Sequence, residues 1–115
     1  MTVALYGIPN CDTVKKARVW LVAKGIAYAF HDYKKAGIDA LTLNRWADAV
    51  GWEPLLNRAG TTFKKLGDAD KNDIDRDKAI ALMIASPSMI KRPVVEGVGV
   101  LLVGFKPDDW ARTFG

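Results

Sequence analysis

Val3-Ala4-Leu5-Tyr6-Gly7-Ile8-Pro9-Asn10-Cys11-Asp12-Thr13-Val14-Lys15-Lys16-Ala17 carries this chain through a complete strand, turn and helix start. Val3 to Tyr6 is a short apolar run of the kind that forms a buried strand, and Gly7 and Pro9 end it. From Thr13 to Lys24 the apolar residues Val14, Ala17, Leu21 and Val22 recur at helical spacing, Lys15, Lys16 and Arg18 fall on other faces, and Gly25 supplies the stop. Cys11, the only cysteine, stands at the junction. The unpaired N–H groups and positive dipole end of a helix stabilise an anion, so a thiol there can ionise near neutral pH and react. The alternative at this point is a buried free cysteine serving as a small hydrophobe.

Outward from this unit, Ile26 to Tyr33 alternates as a second strand, which a helical crossover makes parallel to the first. Leu43, Trp46, Ala47 and Val50 form the i, i+3, i+4, i+7 stripe of a helix over 39–50 that Gly51 ends. Pro54 suits a first helical turn, with Leu55 and Leu56 as a short apolar patch. Asn57 to Thr62 reads as a loop, Phe63 to Leu66 as a helical turn, and Gly67 to Asp73 as polar linker. A helix over 75–85 is expected to bury Ala79, Ile80, Met83 and Ile84. After a loop over 86–93, Val94 to Glu96 and Val98 to Val103 read as a hairpin turning at Gly97, and Pro107 to Thr113 as a closing helix with Trp110 inward. The fold class is therefore α/β, with a mixed sheet in the thioredoxin-like order β-α-β, helical insertion, β-β-α. A single domain over 1–115 is expected, with the insertion at about 39–86.

At 115 residues the chain can build its own core, and its 50% hydrophobic and 26% charged residues are those of an ordinary soluble protein. The net charge of +4 is spread along the sequence, which permits an anionic ligand without calling for nucleic acid. The amino terminus lacks the basic region and long apolar stretch of a signal peptide. No window reaches membrane-spanning length. A cytoplasmic monomer is expected, with no membrane and no nucleic-acid partner, in agreement with an unpaired thiol in a reducing compartment. One cysteine and one histidine, His31, cannot make a standard structural zinc site, so no metal is expected, and His31 is read as a strand or loop residue.

Four segments together resemble the arsenate reductase/Spx/YffB-like family of the thioredoxin superfamily. They are Tyr6 to Ala17, Asn57-Arg58-Ala59-Gly60-Thr61-Thr62, Pro87-Ser88-Met89-Ile90-Lys91-Arg92-Pro93-Val94, and Val103-Gly104-Phe105-Lys106-Pro107. Within that family the chain is most similar to the small YffB-like proteins, described as glutathione-dependent thiol reductases. The resemblance implies Cys11 as nucleophile and Arg92, Arg58, Lys106, Asn10 and Pro93 as substrate-binding residues. Arg92 matches the family's arginine before proline, and Pro93 stands where thioredoxin-like folds carry a cis-proline. Arg58 is a looser match, since an ungapped reading puts Asn57 in its place. Lys106 stands where arsenate reductases have an arginine, and a lysine gives a point charge in place of a planar fork for an oxyanion. Lys15, Lys16, Lys64 and Lys65 are read as solvated helix faces.

Position 14, where a Cys-x-x-Cys pair would place its second thiol, is Val14. No intramolecular disulfide can form, so a turning-over Cys11 needs an outside thiol, from glutathione, another protein or a second copy of the chain; glutathione is the co-substrate expected, with no tightly bound cofactor. The reading is a glutathione-dependent thiol reductase acting on glutathione or a glutathionylated substrate. Two others stand beside it: an arsenate or oxyanion reductase, and a non-catalytic regulator binding RNA polymerase as Spx-like relatives do. Asp12 opposes ionisation of its neighbouring thiol even as it favours the helix terminus.

Overall fold

The computed structural model describes residues 2–114 and divides the chain into two compact units. One is built from the chain up to Ala36 and from Arg92 onward, the other from Gly37–Lys91. The helical insertion expected at about 39–86 lies within the second.

The first unit contains β1 (Thr2–Gly7), α1 (Asp12–Ala23), β2 (Ala27–Asp32), α2 (Tyr33–Ala36), β3 (Val94–Glu96), β4 (Leu102–Val103) and a carboxyl-terminal helix (Pro107–Phe114). Its four strands form one mixed sheet in the order β2-β1-β3-β4. β1 and β2 run parallel from Thr2↔Ala27 to Gly7↔Asp32, and β3 is antiparallel to β1 through Tyr6↔Val94 and Leu5↔Val95. β4 is antiparallel to β3. The mixed α/β sheet and its element order are those expected from the sequence.

Alternation along β1 sends Val3 and Leu5 into a core shared with Ala17 and Leu21 of α1, Val95 of β3 and Trp110. Trp110 is the centre of an aromatic cluster, edge-on to Phe105 at 4.8 Å and to Trp20 at 5.6 Å, with its indole Nε1 donating to the Gly104 carbonyl at 3.1 Å. An indole can be buried this fully because its one polar atom is satisfied. Arg18 lies on the Phe30 ring at 4.5 Å and donates through Nε to the Tyr28 hydroxyl at 3.1 Å, so its stem and charge cover the outer strand β2.

The second unit holds α3 (Ala40–Val50), α4 (Thr61–Lys64), α5 (Asp68–Lys71) and α6 (Arg76–Ala85), followed by one 3-10 turn at Pro87–Met89; the carboxyl-terminal helix of the first unit is thus α7. Its interior is aliphatic and aromatic: Leu43, Trp46, Leu55, Phe63, Met83 and Ile90 are all buried. Arg76 at the head of α6 clasps α3 by donating to the Asn44 carbonyl and side chain at 3.1 Å each and to Asp48 at 2.8 Å.

Several expectations shift. Tyr33 leaves the second strand and opens α2, because the Asp32 carboxylate accepts from the Lys34 and Lys35 amides at 3.1 Å and turns the chain into a helix. The Gly67 to Asp73 linker contains α5; Lys78 Nζ donates to the carbonyls of Ala69 and Asn72 there, at 2.6 and 2.5 Å. Pro54 lies in a hydrogen-bonded turn and starts no helix. The hairpin pairs Val94 with Val103, but only Leu102 and Val103 are strand. Gly97 and Gly99, at φ 102° and 88°, carry the intervening chain through a loop with Val100 exposed. Val22 and Ile84 are exposed, at 69% and 40%, on the outer faces of α1 and α6.

Candidate active site

The Cys11 sulfur owes its position to two tight contacts on either side of it. The backbone N–H of Cys11 donates to the Ile8 carbonyl at 3.2 Å, closing the turn through Pro9 and Asn10, and the Cys11 carbonyl accepts from Lys15 as the first bond of α1. Gly7 lets α1 approach the strand end: a Cβ there would lie 2.8 Å from Val14 Cγ2, and Val14 is fully buried. Cys11 is therefore the N-cap residue of α1, in extended conformation at φ −85°, ψ 126°.

The thiol is half-buried and its side chain closes no capping hydrogen bond of strict geometry. It nevertheless faces the groups that would stabilise its anion. Partial burial pushes the thiol up, but the Val14 amide, a hydrogen bond from Arg92, the Thr13 amide and the positive charge of Arg92 pull it down. The balance lies below the ordinary thiol value. A neutral thiol is a poor acceptor, and two amides aimed at it have most effect on the charged form.

Arg92 reaches the sulfur because β3 runs antiparallel to β1 and so begins beside the end at which β1 finishes. The Arg92–Pro93 peptide is cis, Pro93 is buried, and Arg92 is half-buried. Tyr33 completes the group. It is 1% exposed, and burial pushes its phenol far above the ordinary tyrosine range, against the opposing charge and hydrogen bond of Arg92. The thiolate of Cys11 acts on the phenol in the upward sense, so sulfur, guanidinium and phenol form one electrostatic set.

Of the residues expected from the sequence, the structure brings Cys11 and Arg92 together, with the buried Pro93 following Arg92 through a cis peptide. Asn10 is exposed within the turn. Lys106 is exposed directly before α7, and its carbonyl accepts from the Trp110 amide at 3.0 Å. Arg58 belongs to the second unit, where its guanidinium lies 5.7 Å from the centre of the Trp52 ring. Lys15, Lys16, Lys64 and Lys65 are all exposed. His31 is exposed on β2 and stacks on Tyr6 with ring centres 4.6 Å apart. Tyr33 is the residue that sequence reasoning missed. The signal available for it was the acidic residue directly before it, since an aspartate at a strand end can start a helix turn.

Among the described residues no group of three or more His, Cys, Asp or Glu side chains could hold a metal ion, and no helix is long and apolar enough to cross a membrane. What the arrangement can do chemically is set one half-buried sulfur, its pKa lowered, beside a cation and two amides.

Residues 6–113 match the ArsC family. The solved structure of the YFFB (PA3664) protein is 58% identical, covers 98% of this chain and 99% of its own, and superposes with a TM-score of 0.94. The solution structure of an arsenate reductase (ArsC) related protein from Brucella melitensis is 57% identical over 99% of this chain and 95% of its own, with a TM-score of 0.79. The Global transcriptional regulator Spx of Streptococcus pyogenes is 27% identical over 93% of this chain and 81% of its own length.

Proposed function

The chain belongs to the ArsC family, and on that premise we propose that it is a thiol reductase whose single nucleophile, Cys11, is resolved by an external thiol, with glutathione as co-substrate. The Cys11 thiolate attacks one sulfur of an oxidised substrate, such as a glutathionylated thiol. The substrate leaves as a thiolate and takes up a proton, and Cys11 is left in a mixed disulfide with the glutathionyl group. A second glutathione thiolate then attacks the glutathione sulfur of that bond, which expels the Cys11 thiolate and forms oxidised glutathione. Over the cycle, the glutathionylated substrate and one free glutathione become the free substrate thiol and oxidised glutathione, and Cys11 is regenerated.

The observation that carries this reading is the setting of the sulfur. It is lowered in pKa by the Val14 and Thr13 amides and by Arg92, in a chain with no second cysteine to close the cycle internally. The same cation suits the carboxylates of glutathione. The lysine at position 106 tells against arsenate, which a second bidentate arginine would hold better.

Incubation with oxidised glutathione tests it. Mass spectrometry is expected to show one glutathionyl adduct, removed by free glutathione and absent from Cys11→Ser; a thiol that stays unmodified at neutral pH contradicts the reading. The likeness to Spx favours a second reading, a regulator that binds RNA polymerase. Copurification with polymerase subunits that Cys11→Ser leaves unchanged would select it.

A further inference from the structure

The sheet register brings two residues to the same end of β1 from opposite sides. β1 ends at Gly7, which pairs with Asp32 directly before Tyr33, while Tyr6 pairs with Val94, two residues after Arg92; Tyr33 and Arg92 thus both flank the end of β1 that leads into Ile8. Ile8 is also the residue whose carbonyl receives the Cys11 amide at 3.2 Å. Tyr33, Arg92 and Cys11 thus converge on one turn from three elements. Asp32 fixes the backbone of Tyr33 by accepting from Lys34 and Lys35, and the phenol ring is 1% exposed. Its hydroxyl is hydrogen-bonded to Arg92, which is in turn hydrogen-bonded to Cys11.

An arginine has five donors and no acceptor, so in the first of these bonds the phenolic oxygen accepts. Left alone, a long guanidinium side chain has several rotamers open to it, only some of which direct it at the sulfur. A rigid acceptor within a packed ring restricts that choice. The charges bearing on this set are Asp32 at the end of β2, Arg92 before β3, and Asp12 in the first turn of α1.

We propose that Tyr33 is a positioning residue: its hydroxyl holds the Arg92 guanidinium against the Cys11 sulfur, and so sets how much of the thiol is ionised at neutral pH. This rests on the reading of Cys11 as the reacting thiol. Tyr33 itself touches no substrate in this scheme and acts only through Arg92.

The test is the pH dependence of Cys11 alkylation by iodoacetamide in Tyr33→Phe, which keeps the ring and removes the hydroxyl. The expected result is an upward shift of the midpoint by roughly half to one pH unit, equivalent to a loss of about 3- to 10-fold in rate below the midpoint, with rates converging at high pH. In an Arg92→Ala background the same substitution is expected to shift nothing further, since the two residues act in series. A purely structural tyrosine would change the melting temperature without moving the midpoint. An unmoved midpoint in Tyr33→Phe, or a full effect without Arg92, overturns the proposal. Should Tyr33→Phe fold poorly, Arg92→Lys gives the test from the other side: losing the fork that serves both partners is expected to raise the midpoint although the charge is kept, and an unchanged midpoint there overturns the proposal. Alkylation needs neither glutathione nor substrate, so a moved midpoint in a protein that forms no glutathionyl adduct would leave this inference standing while the reductase reading fell.

Discussion

α1 of the sheet unit and the helices α3 and α6 of the helical unit begin on the same backbone frame with different chemistry. All three N-cap residues are extended, Cys11 at φ −85°, Asp39 at φ −107° and Asp75 at φ −118°. Asp39 accepts from the Thr42 amide at 2.8 Å and Asp75 from the Lys78 amide at 2.9 Å. The carboxyl of Asp39 is held below the usual carboxylate range, first by the Thr42 side chain and then by that amide. Carboxylate caps of this kind serve to start the helix, and their work is finished by folding. Cys11 offers a softer group whose charge depends on pH, in front of amides that no carboxylate occupies, with Arg92 added from the segment before β3. The same terminus physics serves structure in one unit and, in our reading, reactivity in the other.

The most forceful way to break the contrast is to give α1 the cap of its counterparts. Cys11→Asp is expected to abolish adduct formation completely. The carboxylate meets the Thr13 and Val14 amides and Arg92, so stability should hold or rise by about 0.5–1 kcal/mol. A combined mass-spectrometric and thermal-melting experiment checks both, and a clear loss of stability would contradict the account of these amides. Next in size is Gly7→Ala. The new Cβ must displace the fully buried Val14, and a cost of about 1–3 kcal/mol is expected in denaturant unfolding, together with slower Cys11 alkylation as the start of α1 moves away. Stability equal to that of the parent would show that α1 is less tightly seated than described. The smallest effect is expected in the other unit: Asp75→Ala should cost about 1 kcal/mol through the lost cap and leave the alkylation rate of Cys11 unaltered.

The contrast also shows what a sequence discloses. The strand, turn and helix over 3–24 were legible because Val3, Leu5, Ala17 and Leu21 meet one core, and the period of each element marks them. Val22 and Ile84 passed for core since apolar residues also occupy outer helix faces. Val98 to Val103 satisfies strand propensity, yet the two glycines at positive φ bend most of it out of the ladder. α5 buries no side chain, and one of its supports is Lys78, seven residues beyond its end, which no periodicity reveals.

The site divides in the same manner. Cys11 stood out as the lone thiol at a predicted helix start, a local signal. Arg92 came only from resemblance, because nothing near it in the sequence points to residue 11. Tyr33 was hidden for a similar reason: in sequence it continues the alternation of β2, and its value depends on an arginine about sixty residues away that the sheet brings to the same end of β1.

The most direct measurement is the pH profile of Cys11 alkylation in the parent protein and in Arg92→Ala. A midpoint below the ordinary thiol value of about 8.5 is expected for the parent. Reactivity then falls as the pH drops through that lowered midpoint, and in Arg92→Ala the midpoint moves upward because a nearby cation is lost. A parent midpoint at or above the ordinary value, or one that Arg92→Ala leaves in place, would contradict the claim that this sulfur is held as an anion by the start of α1 and the arginine beside it.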